Sequence, residues 1–232
     1  MDIDTIIKDK VARIEDGTGN RVVIIYRDNI EKSCVDWPSW NKLNLPEILF
    51  NKKMDKVHLL HELIHLEMFF IDGYKIIVHH SDLGAVDYEV KNITENYVAH
   101  HKINNLGVNP IGEKWFKDNS RVDYNQTIVK IAEQLVYQKC FSYFRKEKGY
   151  FQHSEQLFLE VQLKNIEAYK MAIKVLDILD NVDYNNTQSY NDCLQPIIDI
   201  MVPQYKDKIA PALIVKKNGL WNYDYHFNNY NN

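Results

Sequence analysis

The chain has 232 residues, with 28 Lys and Arg against 32 Asp and Glu, a formal net charge of −4. At 45% hydrophobic and 26% charged it has the composition of a globular protein, long enough for one large core or two small ones. The missing basic excess excludes an electrostatic nucleic-acid binder, the 12% aromatic content excludes an intrinsically disordered chain, and three cysteines (Cys34, Cys140, Cys193) make neither a disulfide framework nor a zinc ribbon.

Residues 3–15 place Ile3, Ile6, Ile7, Val11 and Ile14 at helical spacing, so a first helix is expected there. Acids at Asp2 and Asp4 stand where a signal peptide carries bases, which makes a reduced, cytoplasmic setting the expectation; export without a signal peptide gives the same pattern. Residues 16–20 (Asp-Gly-Thr-Gly-Asn) read as a turn and residues 21–26 as a β-branched strand. Beyond a loop carrying Trp37-Pro38-Ser39-Trp40, residues 46–51 predict a second short strand, with Pro46 suiting an edge position. Residues 53–70 form a helix that is apolar on nearly every side, as a helix inside a fold must be. Its most apolar stretch, 66–71, is interrupted by Glu67 and far too short to span a membrane. Asp72-Gly73 ends that helix, and 74–78 read as a further strand.

Four more helices are expected at 85–104, 124–147, 153–181 and 187–201. Two strand-like runs, 212–215 and 221–225, flank Lys217-Asn218-Gly219, a hairpin signal, and residues 228–232 are expected to fray. The whole is α+β: a small sheet with a buried helix in residues 1–110, then a mainly helical region with a terminal hairpin in 111–232, either as two domains or packed as one.

The chemistry-bearing motif lies in the buried helix, as His61-Glu62-Leu63-Ile64-His65. Histidines at i and i+4 project from one face one turn apart, so both imidazoles reach a single zinc ion. Glu62 points about 100° around the helix, placed to take a proton from a zinc-bound water and return it to a leaving amine. By chance the pattern arises in roughly 0.02 of chains with this His and Glu content. Its apolar neighbours Leu59, Leu60, Leu63, Ile64 and Leu66 oppose the bland reading of two solvated histidines, because burying these polar groups without partners costs several kcal/mol.

The segment Leu59-Leu60-His61-Glu62-Leu63-Ile64-His65-Leu66 resembles the active-site helix of zincin metallopeptidases. Within that clan the chain is most similar to the small bacterial and phage ImmA/IrrE-type metallopeptidases, over about residues 20–107. The resemblance implies a helix beneath a short sheet whose edge strand holds an extended peptide, and a third ligand on a second helix, there a glutamate: Glu95 or Glu89. It leaves the helical C-terminal half without a counterpart.

Periodicity points elsewhere. Val86, Val90, Ile93 and Tyr97 share one face of the second helix, with His100 and Glu89 within about 70° of its centre, His101 about as close on the other side, and Glu95 nearly opposite, toward solvent. His100 is therefore the first choice for the third ligand, ahead of Glu89 and Glu95; His100 and His101 as favourable charges at a helix C-terminus are the structural alternative. The metzincin pattern is excluded, because the position six residues after His65 is Ile71. A Spartan-like arrangement would use His79-His80, with His80 as ligand, but Ser81 replaces the expected glycine and no basic DNA-binding segment exists. His58 is a candidate supporting group, and Tyr74, Tyr88 and Tyr97 are candidates for stabilising an oxyanion.

The expected function is a zinc metallopeptidase, a hydrolase in which His61, His65 and His100 hold Zn2+ and Glu62 is the catalytic base. Its expected partners are a specific protein or peptide substrate and a regulatory protein, with no nucleic acid and no membrane. The alternatives are a zinc-containing helical interaction protein without catalysis, in which the ion has four protein ligands, and a metal-dependent hydrolase of a non-peptide bond.

Overall fold

The computed structural model describes residues 2–31, 33–79, 88–110, 121–144 and 150–224. The fold is α+β: among the described residues there are seven α-helices and two three-stranded sheets. The chain divides into two compact units, and no helix among the described residues is long and apolar enough to cross a membrane.

The first unit comprises Met1–Ile76, Ala99–Pro110 and Ala212–Tyr225. Helix α1 (Ile3–Thr18) buries Ile6 and Ile14 and runs three residues past its expected end. Gly17 lies inside its last turn, where a Cβ would stand 2.5 Å from Ile71 Cδ1, so this glycine permits a close approach and does not start the turn. The reversal comes at Gly19, left-handed at φ 68°, whose N–H closes on the Glu15 carbonyl at 2.8 Å.

Strand β1 (Ile24–Tyr26) runs parallel to β3 (Ile48–Phe50), and β2 (Cys34–Val35) pairs antiparallel on the other side of β3. The order β1-β3-β2 makes β3 the central strand, correcting the edge position read from Pro46. The proline precedes the ladder by two residues and so costs it no hydrogen bond, while Ile48 and Phe50 are buried as a central strand requires.

Helix α2 (Lys56–Phe70) starts at Asp55, whose carboxylate accepts the Val57 N–H at 3.0 Å. It lies against α1, β2 and β3 and is buried continuously from Leu63 to Phe70. Its buried Glu67 accepts from Lys10 Nζ at 2.6 Å and from Arg13. Arg13 also reaches Asp72 at 2.8 Å, and Asp72 takes Lys102 at 3.1 Å. This ion network ties α1 to the C-terminal end of α2 and to Lys102. On another side of α2, Trp37 stacks on Phe70, and Trp40 and Trp221 meet the same ring edge-on.

Strand β4 (Ile76–His79) belongs to the second sheet, ordered β4-β5-β6. The terminal hairpin is present as β5 (Ile209–Lys217) and β6 (Leu220–Asp224). Its two turn residues, Asn218 at φ 54° and Gly219 at φ 79°, are both left-handed, the tight turn that matches strand twist.

The second unit is built from Ile77–Val98 and Ile111–Pro211. Helix α3 (Tyr88–Asn105) begins in it, and the residues from Ala99 onward belong to the first unit. Helices α4 (Ile128–Phe144), α5 (Tyr150–Lys164), α6 (Ile166–Leu179) and α7 (Thr187–Met201) follow, α4 packing on α5 and α6, and α6 on α5 and α7. The single helix expected over 153–181 is two. Asn165 leaves helical geometry at φ −150°, and its side chain caps α6 by accepting the Ala168 N–H at 3.1 Å. An asparagine competes with the helix for backbone donors in this way, which hydrophobic spacing alone does not register.

Candidate metal centre

Helix α2 supplies two imidazoles and a carboxylate. His61 and His65 are one turn apart, and their Nε2 atoms converge to 2.8 Å with ring centroids 4.6 Å apart. His100, on the first-unit part of α3, sets its ring 4.9 Å from that of His61. His65 stacks on Phe69 at 5.8 Å, which fixes its plane. His65 and His100 are buried, whereas His61 and Glu62 are half-buried, so solvent reaches the cluster from the side of His61 and Glu62.

The electrostatics follow from this placement. Burial, aided by the neighbouring rings of His61, His65, His101 and His58, holds His100 well below the usual imidazole range, in the neutral form a metal requires. Burial lowers His58, with Asp55 opposing, and lowers His101 to about 4. The Glu62 carboxyl keeps some solvent contact yet sits among dense protein, and that burial pushes it up to about 8 against the Val35 N–H, which donates to Oε2 at 3.1 Å. The exposed Cys34 thiol is raised by burial and then by Glu62 and Asp36 nearby.

These residues fit zinc in donor type, though not yet as a closed ligand set: among the described residues no three His, Cys, Asp or Glu side chains stand as a metal-holding group. Two imidazole nitrogens on a tetrahedral zinc, each about 2.0–2.1 Å from it, would be about 3.3 Å apart. The 2.8 Å contact of His61 with His65 is a ring-to-ring hydrogen bond, and opening it by about half an ångström is within a small change of side-chain torsion.

No family model matches the chain, and comparison with curated proteins and with solved structures finds no match.

The other residues singled out from the sequence lie as follows. Glu95 is buried at 8% exposure and its Oε1 accepts the Ile77 N–H at 3.2 Å, which corrects its expected solvent-facing position. The middle of α3 is covered on several sides: Val90, Ile93, Thr94, Tyr97, Val98 and Ala99 are buried and Lys91, Asn92 and Asn96 half-buried, so four apolar positions marked only one of its covered sides. Glu89 is half-buried in the first turn of α3. Tyr97 packs edge-on against Tyr184 at 5.1 Å in the second unit, and Tyr74 lies buried beneath Lys102. His79 is half-buried at the end of β4; His80 and the Tyr88 side chain lie outside the described residues. The sequence reading missed the Val35 N–H beside Glu62, because β2 has only two residues and shows no alternation, and it missed Lys10 and Arg13 as partners of Glu67.

Proposed function

We propose that the protein is a zinc-dependent peptidase of the zincin type, with His61, His65 and His100 as ligands and Glu62 as general base. The observation that carries this reading is the meeting of three imidazoles beside a half-open carboxylate on a mostly buried helix. Zinc bound there would supply Lewis acidity for the attack of water on a peptide carbonyl.

The chain's own residues do the rest. Glu62 takes the proton of the attacking water at its carboxylate and delivers it to the leaving amine. Burial makes it a stronger base than an exposed glutamate, and in the resting protein the Val35 N–H holds it in place. Leu60, Leu63 and Leu66, all buried, keep water from the sides of α2 that they cover, away from His61 and Glu62. The Lys10–Glu67 and Arg13–Glu67 pairs hold α2 against α1 two residues beyond His65. The substrate is a peptide segment of a protein. Cys34, Cys140 and Cys193, all free thiols, accord with a reducing compartment such as the cytoplasm.

Glu62→Gln tests this. The variant is expected to retain one equivalent of zinc and to lose proteolysis by roughly 100-fold or more, the contribution of a positioned general base. Unchanged biological activity in the variant would count against catalysis.

A further inference from the structure

The outer edge of β2 carries one main-chain donor, and it stands directly beside the base. Asp36 gives its N–H to the Glu47 carbonyl at 2.8 Å, toward β3. The alternation of an antiparallel strand therefore turns both main-chain groups of Val35 away from β3. Neither is open. The Val35 N–H donates to Glu62 Oε2 at 3.1 Å, and the Val35 carbonyl accepts the Trp37 N–H at 3.0 Å. Trp37, the next outward position, has its N–H taken by the Val35 carbonyl, so of these outward groups the Val35 N–H is the donor that can pass to an incoming chain. The flanking Cys34 is exposed, leaving the edge approachable.

An edge strand is where an extended peptide adds, through main-chain hydrogen bonds. We propose that the Val35 N–H is a shared donor, which holds Glu62 in the resting protein and passes to a main-chain carbonyl of an extended peptide, freeing Glu62 for proton transfer only when substrate lies on β2. This rests on the peptidase reading above. The exchange makes and breaks no covalent bond: the hydrogen bond from Val35 to Glu62 opens, one from Val35 to the peptide carbonyl forms, and the carboxylate turns to the water that enters from its half-exposed side. Substrate and base thus compete for the same N–H, and an empty site keeps its base occupied.

The test compares two zinc-loaded variants, Glu62→Gln and Glu62→Ala. Neither has a carboxylate base, so neither consumes the probe; Gln keeps a carbonyl that accepts the Val35 N–H, whereas Ala leaves that donor open. The probe is reduced, carboxymethylated α-lactalbumin, a permanently unfolded chain, with binding followed by fluorescence anisotropy. Glu62→Ala is expected to bind about two- to tenfold more tightly than Glu62→Gln, the worth of one released hydrogen bond. Adding Val35→Pro to Glu62→Ala is expected to abolish that gain. Equal affinities, tighter binding by Glu62→Gln, or no binding by either variant overturns the proposal. Hydrogen exchange at the Val35 amide gives the same answer without the proline variant: slow in Glu62→Gln, fast in Glu62→Ala, and slow again in Glu62→Ala with probe bound. Equal protection in both free variants overturns it. Loss of zinc binding, or proteolysis persisting in Glu62→Gln, defeats the peptidase reading instead and leaves these affinity differences as measured.

Discussion

Replacing Glu67 by glutamine removes a charge that is 1% exposed and that receives Lys10 at 2.6 Å together with Arg13. Stripping one partner from a buried ion pair costs roughly 3–5 kcal/mol when the other is left stranded. Here the cations are only partly stranded. Lys10 keeps 17% of its side chain exposed and Arg13 52%, and Arg13 still holds Asp72 at 2.8 Å. The loss should therefore fall to roughly 2–3 kcal/mol, near the worth of two hydrogen bonds to charged groups that survive in weaker, neutral form. Lys10→Met leaves Arg13 on Glu67 and should cost roughly 1 kcal/mol, and the double variant should show a coupling of about 1–2 kcal/mol. The assay is guanidinium unfolding of zinc-free protein at pH 7, since bound metal would add its own stabilisation. Trp37, Trp40 and Trp221 surround Phe70 at the end of α2 and report on the first unit by fluorescence. A lower midpoint at unchanged slope is expected for Glu67→Gln. A variant within about 0.5 kcal/mol of wild type, with purely additive double-mutant behaviour, refutes the idea that these pairs hold α1 against α2.

His100→Ala is expected to weaken zinc by more than the roughly 10–100-fold typical of an outer-shell change, while Glu89→Gln leaves it within about threefold; chelator competition measures both, and the reverse order would move the third ligand to the glutamate. Glu133 in the second unit is raised by burial, against Lys130 and the Asn92 amide that donates to it at 2.9 Å. Because its folded pKa lies above its unfolded one, its contribution to stability is fully present below about pH 4.5 and is lost as pH rises through the folded value. Glu133→Gln, an uncharged mimic, is expected to flatten that fall; unfolding free energies measured from pH 4.5 to 8 check this, and parallel wild-type and variant profiles would contradict it.

The elements most legible in the sequence were those whose pattern is local. The apolar surround of His61-Glu62-Leu63-Ile64-His65 announces a buried helix, and Asn218-Gly219 between two β-rich runs announces the hairpin. His100 could be singled out because its angular position on α3 follows from spacing alone. Where contacts between distant segments decide, the pattern fell short. Gly17 reads as a turn residue but serves the approach of Ile71, and Pro46 reads as an edge residue but precedes a central strand. Glu95 reads as solvent-facing on α3, yet the covering of that helix on several sides buries it against the Ile77 N–H. The donor beside Glu62 belongs to a two-residue strand, which carries no periodicity to detect.

The central claim, a zinc ion held by His61, His65 and His100 with a position left open beside Glu62, is tested most directly by anomalous scattering recorded on both sides of the zinc edge. The expected result is one peak about 2.0–2.1 Å from a ring nitrogen of each of the three histidines, with a fourth position free of protein ligands. A peak elsewhere, no peak in protein purified with zinc present, or a fourth protein ligand closing the site would contradict it.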